Sequence, residues 1–414
     1  MKPSELKRLH GELTKFGDFL TKDFGRPERC DAMRSYVTGL LLDGDRKSVQ
    51  PMAARLAEHS DQVEAIRQRL QQCVVISPWS EQELFGRLAR KLQQEVAGLD
   101  ALVIDDTGFP KKGRHSVGVA RQYSGTLGRT DNCQVAVSLH LAGERESGCI
   151  GMRLYMPQEW MADRARCQKA GMPEDVVFQT KWEIALDLLA QSRRDGVEDK
   201  VVLADAGYGD ITAFRDELDR RDYDFLLGIS GSLVVWRNGE APRPAAHPPG
   251  KMGRPRKDEK SAYKPVSIKD LAKKLSYRKV TWRGGSKGAC SGRFAATRVN
   301  TAHKHGQGRP PGKEVWLLCE WRTGEAEPTK FYLSSLPSGA TRKDLVRLAK
   351  TRWRVERDYQ EMKEELGLDH FEGRTWRGFH HHAALCAAAH TFLTLRRALF
   401  PPEQNTSDRA VRPA

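Results

Sequence analysis

Leu6, Leu9, Leu13, Phe16 and Leu20 step along the chain by 3, 4, 3 and 4 residues, the spacing of one helical face. Val63, Ile66 and Leu70 repeat it, and Ser80-Glu-Gln-Glu83 has the form of a capping box leading into Leu84, Leu88 and Leu92. Residues 1–100 therefore read as a helical N-terminal region. At Ala101 the period changes. Leu102-Val-Ile-Asp-Asp-Thr107 reads as a buried strand, and Gln134-Val-Ala-Val-Ser-Leu-His-Leu141 alternates as a half-buried strand does. Thr180-Lys-Trp-Glu183 opens another helix. Strands are expected at Val201-Val-Leu-Ala204 and near Tyr223-Asp-Phe-Leu-Leu-Gly228. Strands alternating with helices over 101–230 predict an α/β layer. Residues 231–340 differ: Pro, Gly and Lys/Arg are dense over Pro242–Lys257. Short strand-like runs then follow at Lys279–Trp282, Arg293–Val299, Val315–Trp321 and Lys330–Leu333. This reads as a β-rich insertion into the α/β domain. Helices resume over 341–400, and the polar stretch 401–414 reads as a disordered tail.

Charge narrows the class. The 414 residues carry 69 Lys+Arg against 54 Asp+Glu, a net charge of +15, which favours a polyanionic partner. Hydrophobic residues at 39% are too many for a disordered chain, and no 18-residue apolar run offers a membrane span. Met1-Lys-Pro-Ser-Glu-Leu6 lacks the apolar core of a signal peptide. The eight cysteines form no CxxC pair, so neither a zinc ribbon nor a redox motif is indicated, and reduced cytosolic thiols are expected.

The chemistry sits in three acidic positions. One strand carries Asp105 and Asp106, and another ends in Asp205 before Ala-Gly-Tyr-Gly209, a turn that lets substrate backbone approach. Glu356 lies in the helix Thr351-Arg-Trp-Arg-Val-Glu-Arg-Asp-Tyr-Gln-Glu-Met-Lys363. Phosphodiester cleavage and strand transfer are in-line displacements, served by two divalent ions roughly 3.5–4 Å apart. Mg²⁺ needs few protein carboxylates. Two or three carboxylates converging from different elements suffice, and strand ends in an open α/β sheet are where ligands bind. Asp105 and Asp106 point to opposite faces, so only one is expected to meet metal. Asp105 follows the apolar run directly, but both stay candidates. Leu345, Leu348, Val355, Tyr359, Met362 and Leu366 form the apolar stripe of the Glu356 helix. Arg352 and Lys363, at −4 and +7 from Glu356, are read as phosphate-holding cations on its face.

Three stretches resemble the bacterial insertion-sequence DDE transposases of the cut-and-paste group. They are Val103-Ile-Asp-Asp-Thr-Gly-Phe-Pro-Lys-Lys-Gly113, Leu203-Ala-Asp-Ala-Gly-Tyr-Gly209, and the run from Arg352 through Glu356 and Lys363 to Arg374. The resemblance spans roughly residues 30–395. It implies an RNase H-like catalytic core interrupted by a β-rich insertion, with a helical N-terminal DNA-binding or dimerisation region. It further implies a catalytic, metal-binding set of Asp105 or Asp106, Asp205 and Glu356, holding two Mg²⁺ ions with Mn²⁺ as a substitute. Arg352, Glu356 and Lys363 fill the last three places of a Y-x2-R-x3-E-x6-K signature, and Ala349 stands where the tyrosine would be. The implied partners are double-stranded DNA, as element terminal repeats and target, and a second copy of the chain on paired ends. The implied setting is the bacterial nucleoid in the cytoplasm.

Further DNA contacts are expected from Lys111, Lys112, Arg114 and Arg121 beside the first acidic site. Arg254 and Arg256 lie in Gly253-Arg-Pro-Arg-Lys257, which is similar to an AT-hook core. In relatives an aromatic of the insertion holds a flipped base, and Trp282, Trp316 and Trp321 are the possible counterparts. His380-His-His382 makes a poor joint metal site, because consecutive helical residues diverge. Asp210, Glu361 and Glu364 read as surface charges. The function expected is metal-dependent cleavage at insertion-sequence ends and strand transfer. The alternatives are a non-catalytic, domesticated DNA-binding repressor and an endonuclease without strand transfer.

Overall fold

The computed structural model describes residues 3–125, 128–242, 263–283, 289–303 and 310–400. The AT-hook-like segment with Arg254 and Arg256, and the tail 401–414, lie outside them.

The protein is a mixed α/β molecule built on one large mixed sheet. Its strands are β1 (Leu99–Pro110), β2 (Ala120–Ser124), β3 (Arg129–Gly143), β4 (Ser147–Leu154), β5 (Val201–Ala204), β6 (Phe225–Ile229), β7 (Val234–Arg237), β8 (Val266–Ser267), β9 (Arg278–Arg283), β10 (Cys290–Thr301), β11 (Glu314–Trp321) and β12 (Lys330–Ser334). They are ordered β2-β3-β1-β5-β6-β12-β11-β10-β7-β8, with β4 on β3 and β9 on β10. β1 pairs antiparallel with β3, and β3 antiparallel with β4, while β1, β5 and β6 run parallel. The strands of 231–340 continue this same sheet, because β12 pairs antiparallel with β6.

β1 runs past the expected end at Thr107. β3 is 15 residues long, and its ladder with β1 continues to Pro110 opposite Cys133. β3 is also buried on both faces from Cys133 to Gly143, where a half-buried strand was expected, because helices cover both sides of the sheet.

The predicted N-terminal helices are present at Pro3–Thr21, Pro27–Leu41, Val49–Leu56, Val63–Val75 and Glu81–Glu95. Ser80 caps the last of them through the Glu83 N–H, and Thr180 and Glu183 form a reciprocal box at the start of Lys181–Arg194. The helix Trp376–Leu399 is buried on nearly every side, as its run of alanines permits. It lies between the N-terminal helices and β4, and residues from Phe16 to Leu395 share one core around it. A second core lies between the other sheet face and the helices Arg342–Thr351 and Trp353–Gln360. It contains Ala101, Val103, Leu203, Leu345, Leu348, Ala349 and Val355. Ala349 is buried there.

Candidate active site

The sheet register separates the two neighbouring aspartates. β1 and β5 pair through Leu102–Val202 and Val103–Leu203. Side chains alternate between faces, so Asp105 and Asp205, each two residues further on, share the face of Val103 and Leu203. Asp106 takes the opposite face, where its carboxylate meets Lys181 Nζ at 2.6 Å.

Asp205 ends β5 and caps the single turn Ala206–Gly209, accepting the Gly207 N–H at 2.9 Å. Gly209 is buried against β6, and a Cβ there would collide with the Gly228 carbonyl. That glycine serves close packing of the turn, where an opening for substrate was expected.

Glu356 arrives from the other side. Thr341 and Asp344 cap the helix Arg342–Thr351 reciprocally, and a second helix, Trp353–Gln360, carries Glu356 with Val355 fully buried beneath. Arg352 stands at the junction. Its Nη1 donates to Asp105 Oδ2 at 2.9 Å and its Nη2 to Glu356 Oε1 at 2.6 Å. Burial works against the Arg352 charge, but Asp105, Glu356 and Asp205 outweigh it and raise its pKa. All three acidic positions thus converge electrostatically on one guanidinium. Asp105 itself is pushed up to about 7. Burial is the main cause, Arg352 opposes it, and Asp205 and Asp106 add to it. Among the described residues, no three His, Cys, Asp or Glu side chains stand close enough to hold an ion as placed, and the Arg352 guanidinium bridges Asp105 and Glu356.

Two phenols border the carboxylates. The Tyr208 side chain is buried and its hydroxyl has no hydrogen-bond partner among the described residues, while Tyr359 shares a 2.6 Å hydrogen bond with Ser138. Burial first, then the neighbouring aspartates, keeps both phenols neutral. Behind Tyr359 runs a buried polar chain that sequence reasoning missed. Ser138 Oγ lies 2.9 Å from His140 Nε2, and His140 Nδ1 donates to Asp358 at 2.7 Å. The Ser147 hydroxyl donates to Asp358 at 2.6 Å. Burial opposes charge on His140, but Cys149 and Asp358 outweigh it and lift its pKa to about 10. The only sequence signal for this chain was the pair of polar residues, Ser138 and His140, inside an apolar strand.

The expected cations separate into two groups. Lys112, Arg114 and Arg121 are exposed. Lys111 donates to the Phe371 carbonyl at 2.8 Å, and Lys363 to the Gly108 carbonyl at 3.0 Å; burial lowers the pKa of both. Lys363 is not carried on the regular face of the Glu356 helix, because the chain turns into a π-helical segment over Glu361–Glu365. The same turn corrects the reading of Glu361 as a surface charge. It faces inward, 3.1 Å from His390 and 2.8 Å from Arg397. Asp210 and Glu364 are exposed as expected.

Trp282, Trp316 and Trp321 are half-buried in the β-rich part. Trp282 meets Phe294 edge-on, while Trp316 and Trp321 donate to the Pro337 and Glu325 carbonyls. His380, His381 and His382 diverge as expected: they bond to Leu154 and Trp376, to Trp79, and to Tyr36 and Gly367 respectively.

Residues 19–289 match the family described as DDE superfamily endonuclease. The chain belongs to that family. The match takes in Asp105 and Asp205 and ends before Glu356. For a DDE endonuclease an RNase H-like core and use of divalent metal are implied. The chain is also 30% identical over 207 residues to a probable transposase for insertion sequence element IS701 from Microchaete diplosiphon. The aligned segment is 50% of each protein, so the chain spans about half the length of that relative. Among the described residues of this DDE endonuclease, no helix is long and apolar enough to cross a membrane.

Proposed function

We propose that this DDE endonuclease is a transposase that cleaves DNA at the ends of an insertion sequence and joins the freed 3′ ends to target DNA. The observation that carries the reading is the convergence of Asp105, Asp205 and Glu356 on Arg352, with Asp106 turned away to Lys181. Asp105, Asp205 and Glu356 are the residues that would hold Mg²⁺, or Mn²⁺ in its place. Their donors are hard carboxylate oxygens, and burial holds the pKa of Asp105 up even beside Arg352, so its ionised form gains from a further positive charge. When bound, such ions polarise the scissile phosphate and activate the attacking oxygen. In this reading Arg352, now bonded to Asp105 and Glu356, passes to a phosphate oxygen once the carboxylates hold metal. Lys112, Arg114 and Arg121 are exposed, and in this reading they track the backbone of the same duplex.

In this reading residues 101–230 and 341–400 form the RNase H-like core, interrupted by the β-rich stretch 231–340. Residues 1–100 bind element ends or a second copy of the chain, and the work is done at the bacterial nucleoid. The strand order β4-β3-β1-β5-β6, with β3 antiparallel to its neighbours, supports it.

Asp205→Ala and Glu356→Ala are each expected to abolish Mg²⁺-dependent cleavage of a plasmid carrying the gene with its flanking DNA, while DNA affinity stays within a few-fold. Normal cleavage by either variant sinks the assignment. Cleaved but never joined ends would make the protein an endonuclease without strand transfer.

A further inference from the structure

The helix that carries Glu356 is only eight residues long, with Arg352 at one end and the π-helical turn at the other. So short a helix has little stability of its own, and its orientation is set by what it packs against. Two and three residues after Glu356, Asp358 and Tyr359 turn toward the sheet. Tyr359 reaches Ser138 at 2.6 Å, and Ser138 is the residue paired directly opposite Asp105 on β3. Asp358, its side chain 2% exposed, reaches His140, which is paired opposite Val103. The His140 and Tyr359 rings meet edge to face at 5.4 Å. Ser138, His140 and Tyr359 thus link in one closed path from β3, the strand paired with the one carrying Asp105, to the helix carrying Glu356. His390 extends the hold to the π-helical turn through Glu361, and Arg397 joins Glu361 to Glu146. Burying a charged Asp and a His costs more than packing apolar side chains of the same volume. What a hydrogen-bonded network adds over apolar packing is a single fixed geometry.

We propose that the Asp358–His140–Ser138–Tyr359 network positions Glu356 against Asp105 and thereby sets the affinity of the site for divalent metal. These are positioning residues, and the inference rests on Asp105, Asp205 and Glu356 being the metal carboxylates. Outer partners of metal ligands commonly change affinity by about 10–100-fold when lost.

The test is Mn²⁺ binding to the full chain, followed by the electron paramagnetic resonance of the free ion, with thermal unfolding measured in parallel. Tyr359→Phe and Ser138→Ala each remove one hydroxyl, and Asp358→Asn keeps the shape of the carboxylate. Each variant is expected to bind Mn²⁺ about 10-fold or more weakly, with cleavage recovering at saturating Mn²⁺. Asp205→Ala is expected to bind none at the site. If Asp205→Ala binds as the wild type does, or the wild type binds no Mn²⁺, the metal-site reading fails and this inference fails with it. If Asp205→Ala loses the ion while all three network variants keep wild-type affinity, the positioning inference fails alone. If cleavage is lost at every Mn²⁺ concentration in step with a fall in melting temperature, the network is structural only and the inference is overturned. Tyr359→Phe and Ser138→Ala keep this decision available should Asp358→Asn not fold.

Discussion

Asp105 and Asp106 are adjacent, chemically identical and both partly buried, yet the sheet gives them different faces and different partners. Sequence alone could say that the two face opposite sides of the sheet, because strand side chains alternate. Which one shares the face of Asp205 depends on the register of β1 against β5, and the partner of Asp106 is Lys181, 75 positions away; neither is visible in a local pattern. The consequences are measurable. Asp106→Asn breaks a half-exposed ion pair and is expected to cost about 1 kcal/mol of stability or less, with cleavage retained. Asp105→Asn is expected to abolish cleavage and to raise stability at pH 8. The folded-state pKa of Asp105 is about 7 against an ordinary 3.8, so the native state holds a proton that the unfolded chain gives up. Stability from this group therefore falls as pH rises from about 4 to 7, and the neutral asparagine removes that loss. The gain is about 1–3 kcal/mol, reduced from the full shift because Arg352 loses a partner. Urea unfolding at pH 8 checks it. A less stable Asp105→Asn would mean that the Arg352 pairing outweighs desolvation.

Elements were legible where apolar runs are continuous and unbroken. β5, β6, β11 and β12 appear within a residue or two of the expected positions. β4 escaped notice because Gly148 and Gly151 interrupt its apolar pattern. Gly148 is there for tertiary reasons, since a Cβ would collide with Leu92 of the packing helix. The Glu356 helix was legible as one amphipathic stripe but not as two helices and a π-helical turn. The break is made by Arg352 reaching back to β1 and by Glu361 reaching His390, contacts with residues 247 and 29 positions distant. The turn after β5 was read as glycine-dependent, and at Gly209 the dependence comes from packing against β6. Gly209→Ala tests the packing role. Its Cβ must push the turn off the β6 backbone, so a loss of about 1–3 kcal/mol is expected, with cleavage falling further than stability because Asp205 moves with the turn. Unchanged unfolding in urea would show that the turn has slack.

At the scale of the whole molecule, the helix Trp376–Leu399 joins the N-terminal helices to the catalytic sheet, and three consecutive histidines make much of that joint. His380 accepts the Leu154 N–H of β4 at 3.2 Å, His381 stacks on Trp79 at 3.7 Å, and His382 accepts the Tyr36 hydroxyl at 2.9 Å. Burial lowers each of their pKa values from 6.5 to about 4. A histidine with a lowered folded pKa takes up its proton on unfolding, so its stabilising contribution is present above pH 6.5 and is lost as pH falls toward 4. Asp105 acts in the opposite sense over about the same window, as one group against three. Near pH 5 the unfolded chain should therefore bind about two more protons than the folded one, a slope of about 2.7 kcal/mol per pH unit. Urea unfolding between pH 4.5 and 5.5 is expected to give that positive slope, which flattens toward pH 6.5 as His140 and Asp105 keep their protons in the folded state, and His382→Gln to reduce it by about one proton. Because the three residues lie at the joint, acid should release the N-terminal helices before the sheet, seen as increased tryptophan exposure at Trp79 while the β-sheet circular dichroism persists. A flat or negative slope would mean that these imidazoles are hydrated in solution, and the joint would then have to be held by its apolar contacts, such as Phe16 against Phe392 at 5.4 Å.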